Sequence, residues 1–240
     1  MIEDTKASAV IDAANLRFTS HVKDQLKALD TFSDDALEWL MLEHYQFSST
    51  NPGFLSTAAT TTQRLAPSGV AEELLRNFRE EGGHAAIYKQ ALAEIGSPVE
   101  TRRAFAPTQA FLAGIEQLTK GTPSQILGTM YATETAAIFE HEVFWDISRE
   151  VCRRRGIDFG TTTLKRFHDM HLEGVEQSHK DGLGIFIDRP DACGDAGDGE
   201  PIDAAQVADG AEAAIRTMRI WWEALLDEAR RMTRPAAQPA

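Results

Sequence analysis

Two Glu-x-x-His pairs, Glu81–His84 and Glu176–His179, and two further glutamates, Glu43 and Glu134, are the residues of this 240-residue chain whose types and spacing could do chemistry. Residues three apart on a helix share a face, so each pair can aim a carboxylate and an imidazole at one point. The order Glu, Glu-x-x-His, Glu, Glu-x-x-His on separate helices is the pattern by which helical bundles hold two iron or manganese ions between facing helices. Carboxylate oxygens can bridge two cations and change mode with oxidation state, while imidazoles complete the coordination and leave positions open for dioxygen. A single Glu-x-x-His is more often a buried glutamate satisfied by one Arg or Tyr. The second pair, with a lone Glu ahead of each, is what favours a metal.

The elements that must position these groups read as helices. From Val70 to Ile95, Leu74, Phe78, Glu81, Ala85, Tyr88 and Leu92 fall on one stripe, with His84 on its shoulder. Glu81 thus occupies a position suited to leucine, and its charge calls for a counter-charge, a raised pKa or a metal ion. Glu80 points off the stripe, so Glu80→Ala is expected to matter little. Gly82 and Gly83 each cost roughly 1 kcal/mol in mid-helix, which suggests that bulk beside Glu81 and His84 is unwelcome. The longest helix, 124 to 155, carries Leu127, Met130, Tyr131, Glu134, Ile138, His141 and Trp145 inward. Tyr131 and His141, above and below Glu134, are candidate pocket residues that would join Glu81 and Glu134 in catalysis. From 161 to 186, Leu164, His168, His171, Val175 and His179 share a face with Glu176 on its edge. Three histidines on one apolar face are hard to explain by packing alone. Ser33-Asp34-Asp35 opens a helix through Ser48, where either Glu43 or His44 could look inward, and Asn51-Pro52-Gly53 is expected to stop it before 54 to 64 resumes. Helices over 5–29, 107–120 and 204–231 complete an all-α pattern without strands. Residues 188–203 read as a solvated acidic loop whose aspartates miss the EF-hand positions.

In several places the chain resembles the haem-oxygenase-like diiron oxidases and oxygenases, a seven-helix fold shared with thiaminase-like and pyrroloquinoline-quinone-synthesis proteins. The resemblance rests on Glu-His-Tyr-Gln-Phe at 43–47, Glu-Glu-Gly-Gly-His at 80–84, Leu-Ala-Glu-Ile-Gly at 92–96, Met-Tyr-Ala-Thr-Glu at 130–134 and the His-rich run from Phe167 to His179. It implies one domain over 1–240 with a frayed tail from 232, binding two Fe(II) ions and using O2 to oxidise a small molecule such as an amino acid. N-oxygenation, desaturation and carbon–carbon cleavage are all outcomes known in that family. Carried over, Glu43, Glu81, His84, Glu134, His171, Glu176 and His179 would be the metal ligands. The family commonly spaces its last ligands as His-x-x-x-Asp/Glu-x-x-His, whereas one extra residue here separates His171 from Glu176, with His168 as the rival of His171. On a regular helix Glu176 would be turned about 100° from the shared face, so a π-bulge and an irregular helix over 172–178 are expected.

Composition narrows the alternatives. A net charge of −13 and a pI near 5.0 disfavour nucleic acid and anionic membrane as partners. Cys152 and Cys193 form no disulfide framework, and with no leader or long apolar run the expected setting is the cytoplasm, with a homodimer the commonest prior. A ferritin-like iron protein would share the ligands. A metal-free thiaminase-like hydrolase would share the fold but needs a cysteine nucleophile, for which Cys152 is the helical candidate.

Overall fold

The computed structural model describes residues 6–66, 68–190 and 199–234. Among them the chain forms α1 (Ala7–Gln25), α2 (Asp34–Thr62), α3 (Gly69–Glu81), α4 (His84–Glu94), α5 (Ala106–Leu118), α6 (Pro123–Arg154), α7 (Thr163–Met170), α8 (Glu176–Asp188) and α9 (Ala204–Thr233). Gly82 and Gly83 break one rod into α3 and α4, and a π turn over His171–Val175 interrupts another between α7 and α8. The described residues therefore make seven rods. A two-residue parallel pairing, Leu65–Ala66 (β1) with Glu200–Pro201 (β2), is the one extended element among them.

Local capping starts the key helices. Ser33 accepts the Ala36 N–H at the start of α2, and Thr122 and Gln125 form a reciprocal capping box with Pro123 in the first turn of α6. Asp203 accepts the Ala205 and Gln206 N–H groups at the start of α9. The expected stop at Asn51-Pro52-Gly53 is corrected: α2 runs unbroken through Pro52. A proline inside a helix costs about 3 kcal/mol. Phe54 and Leu55 beyond it are buried, at about 1.5–3 kcal/mol each, and Ala58 and Ala59 continue the inward face. Tertiary burial outweighs the local break.

Helix α6 is the axis of the bundle, packing on α9, α2 and α8. Its crossing with α9 is backbone on backbone. A Cβ at Gly128 would fall 1.9 Å from the Val207 carbonyl oxygen, and one at Gly210 would fall 1.9 Å from that of Gln125. The buried apolar side chains form one continuous cluster, including Trp221, Trp222, Phe144 and Leu127. No helix among the described residues is long and apolar enough to cross a membrane.

Candidate metal centre

Helices α3, α4, α6 and α8 and the π turn bring three carboxylates and four imidazoles to one buried place. Three overlapping groups have ligand atoms within 4.8 Å of one another: Glu81, His84 and His171; His141, His171 and Glu176; Glu134, Glu176 and His179. Glu81 Oε2 lies 3.0 Å from His84 Nδ1, while its Oε1 faces His179 Nδ1 at 3.9 Å. Glu176 Oε1 lies 3.6 Å from His141 Nε2 and 3.8 Å from His171 Nε2, and its Oε2 lies 3.8 Å from His179 Nδ1. Two carboxylates thus span two halves. One half holds His84, His141 and His171; the other holds Glu134 and His179, whose Oε2 and Nδ1 are 3.3 Å apart.

The imidazoles are turned by their outer nitrogens. His171 Nδ1 lies 2.7 Å from the Phe167 carbonyl oxygen, which can only accept, so Nδ1 carries the hydrogen and Nε2 presents its lone pair to the centre. His141 Nδ1 meets His168 Nδ1 at 3.2 Å, and His168 Nε2 meets Ser148 Oγ at 3.2 Å, a buried chain that can be donated outward from His141. Glu81 Oε1, Glu134 Oε1 and His179 Nδ1 are buried without a hydrogen-bond partner. Burial without partners is costly for such groups, and a hard, divalent cation between carboxylate and imidazole would satisfy all three. The donor set fits a pair of metal ions.

Several sequence expectations are corrected. Glu43 is not among the three ligand groups: its Oε2 accepts from Arg102 Nη2 at 2.8 Å and from Thr108 Oγ1, groups preceding and within α5, while its Oε1 is buried without a hydrogen-bond partner. His44, its neighbour, is not among the ligand groups either; its Nδ1 meets Tyr88 Oη at 3.1 Å and its ring stacks on Phe144. Tyr131 turns outward from α6, donating to Asp12 Oδ1 at 2.9 Å, and does not serve the centre as the pocket residue expected. His168 lies behind His141, leaving His171 to face the centre. His141 belongs with the ligand atoms, a place its position two turns beyond Glu134 could have suggested. Glu80, expected to be idle, accepts from His179 Nε2 at 2.9 Å. The i, i+4 charges Arg76 and Glu80 were the available signal. The calcium-like aspartates of the 188–203 loop and Cys193 fall largely or wholly outside the described residues.

The irregular helix expected over 172–178 is present. The π turn spans His171–Val175, with Gly174 at φ 125° and ψ 0°, and it rotates Glu176 inward to 4% exposure. The extra residue is absorbed at the kink that Gly174 makes between α7 and α8.

Burial sets the charge states. His44 is pushed down to about 3 and His171 to about 4, chiefly by desolvation, and His141 and His168 go well below the usual imidazole range for the same reason. Glu140 is pushed up to about 8 and Glu176 well above the carboxylate range by burial, Glu176 also by the charges of Glu134 and Glu81. For His179, burial opposes the charged form, but Glu134, Glu80 and Glu81 outweigh it and raise the ring to about 9. The four neutral histidines contribute stability that is present above the unfolded value of 6.5 and lost as pH falls below it. His179, Glu140 and Glu176 contribute the opposite slope, lost as pH rises toward about 8 to 9. Metal-free protein should therefore melt highest near pH 6.5 and lower on both sides. Metal loading should flatten the alkaline limb, because bound His179 and Glu176 carry no proton at their ligand atoms. A metal-free melting temperature that climbs from pH 6.5 to 9 would contradict this assignment.

No family model and no curated protein matches the chain. Among solved structures, two of a CADD-like protein of unknown function from Nostoc punctiforme each superpose with a TM-score of 0.69. One is 23% identical and covers 90% of this chain and 98% of that one; the other is 20% identical and covers 93% and 99%. A domain of unknown function with a heme oxygenase-like fold from Shewanella denitrificans gives 0.63 at 15% identity, covering 95% of each chain. A TenA homolog from Pseudomonas syringae gives 0.62 at 15% identity, covering 90% of this chain and 88% of that one. At these identities the shared property is the fold, and the chain has the haem-oxygenase-like all-α architecture.

Proposed function

We propose that this chain is a non-haem diiron oxidase or oxygenase that uses O2 to oxidise a small metabolite, with an amino acid or other amine as the expected substrate. The observation that carries the reading is the double span: Glu81 and Glu176 each turn one oxygen to each half of a buried centre of three carboxylates and four histidines. With two ferrous ions bound, the centre supplies electrons to dioxygen. The chain's own residues do the rest. Glu81 and Glu176, which face both halves, would help hold both ions, with His84, His141 and His171 holding one and Glu134 and His179 the other. The Phe167 carbonyl and His168 keep the His171 and His141 lone pairs aimed inward. Phe167, buried against His141 and His171, excludes water from both rings.

The hydrolase alternative is disfavoured by Cys152, which is fully buried and whose thiol is pushed up by that burial, leaving little thiolate for nucleophilic attack. Anaerobic ferrous loading is expected to place about two irons per chain, as paired Glu-x-x-His bundles do. Oxygen uptake by the loaded protein should respond to a cognate amine in a mass-spectrometric screen. One iron or none in folded protein would sink the proposal, and a ferric mineral within a cage-sized particle would transfer the site to iron storage.

A further inference from the structure

His179 differs from the other imidazoles of the centre in what holds its outer nitrogen. His171 is held by a backbone carbonyl and His141 by a second buried histidine. His179 Nε2 lies 2.9 Å from Oε2 of Glu80, a carboxylate 42% exposed on the outside of α3, while the ring itself is fully buried. A carboxylate can only accept, so Glu80 holds a hydrogen on Nε2 and leaves Nδ1, the atom facing Glu134, Glu176 and Glu81, as the nitrogen at which a metal ion would take the place of a proton.

An exposed glutamate would ordinarily sample many rotamers, but this one is clamped. Arg76 Nη1 reaches both oxygens of Glu80, at 3.0 and 3.1 Å, while its Nε donates to Glu73 Oε2 at 3.1 Å and its Nη2 to the other oxygen of Glu73. Nη2 also lies 3.3 Å from the Ser178 carbonyl oxygen, one residue before His179, so the same guanidinium ties α3 to the backbone that carries the ligand. The approach is close: a Cβ at Gly182 would fall on the Glu73 carboxylate, so any side chain there would have to displace it from Arg76. Exposed ion pairs contribute little to stability. A network of four charged or small residues converging on one ring nitrogen needs another reason.

We infer that Glu80, clamped by Arg76, is a positioning residue that fixes the tautomer and orientation of His179 so that Nδ1 is offered to a metal ion. The inference rests on the metal reading of the centre but not on iron or dioxygen chemistry. Its test is therefore a titration with cobalt(II) alone under conditions where neither matters. Glu80→Ala should weaken binding of one of two cobalt ions by about 10- to 100-fold, the usual loss on removing an outer partner of a metal-bound histidine, and leave the other ion bound as in wild type. Glu80→Gln, whose amide oxygen still accepts from Nε2, should recover most of that affinity. Arg76→Ala should fall between the two. Nitrogen-15 spectra of the cobalt-free, zinc-loaded protein should show Nε2–H at His179 in wild type and in Glu80→Gln. Equal cobalt affinity in Glu80→Ala and wild type, or an equal loss in Glu80→Ala and Glu80→Gln, would overturn the assignment. Failure of wild type to bind cobalt at all would overturn the metal reading with it, a result distinct from equal binding.

Discussion

Glu81→Ala is expected to leave at most one ferrous ion per chain and to lower oxygen consumption by more than the roughly 100-fold that follows loss of an outer hydrogen-bond partner. The reason is position, since Glu81 Oε2 lies 3.0 Å from His84 while Oε1 faces His179 across the centre. Without it, His84 and His171 keep their lone pairs but lose the carboxylate that neutralises a cation between them. The other half keeps Glu134, Glu176 and His179, enough for a single ion. Folding should survive, because His179 keeps Glu134 and Glu80 as partners and the substitution removes a buried carboxylate oxygen that has no hydrogen-bond partner. Metal analysis by mass spectrometry of folded protein, with oxygen uptake beside it, makes the comparison. Glu80→Ala should retain both ions, only one of them more weakly, so the two adjacent glutamates part company in stoichiometry and not merely in degree. Two ions and wild-type oxygen uptake in Glu81→Ala would remove it from the site.

The second large effect concerns the π turn. Gly174 adopts φ 125°, a backbone conformation that side-chain-bearing residues rarely adopt, although open space surrounds the position where a Cβ would lie. Gly174→Val should therefore act through backbone strain on the order of 1–3 kcal/mol, not through a clash, and the segment should relax by turning Glu176 away from the centre. Loss of the residue that spans both halves is expected to cost one ion and nearly all oxygen uptake. Deleting Gly174 should do far less harm. The shortened segment would place histidine, glutamate and histidine at i, i+4 and i+7 of a regular helix, which share one face without a π turn. Ferrous stoichiometry should stay near two in the deletion and fall to about one in Gly174→Val. The reverse ranking would show that the π turn serves something other than aiming Glu176.

How much of this was legible beforehand follows from how far apart the interacting residues lie. Helix periodicity, caps and the i, i+3 pairing within Glu81–His84 and Glu176–His179 are local, so the sequence by itself determined an all-α chain, two matched Glu-x-x-His pairs and the surplus residue that the π turn absorbs. The all-α, haem-oxygenase-like bundle expected from the motifs is the architecture observed. Periodicity states the direction of a side chain around its own helix but not what waits there. Glu43 was placed near an inward face, yet one of its oxygens is taken by Arg102, 59 residues away. Glu80 was placed outward, which is true of its exposure, but α8 packs against α3 and carries His179 to it. Tyr131 faces Asp12 because α1 lies against α6 and α8. His141 enters the centre because Glu176 is brought to it across the α6–α8 packing. Pro52 is overridden by burial on both sides of it, and Leu65–Ala66 finds its partner strand at Glu200–Pro201, more than half the chain length away. In each case the deciding free energy belongs to a pair of residues remote in sequence, one supplying desolvation and the other the compensating charge or hydrogen bond, and only the packing of the helices determines which pairs those are.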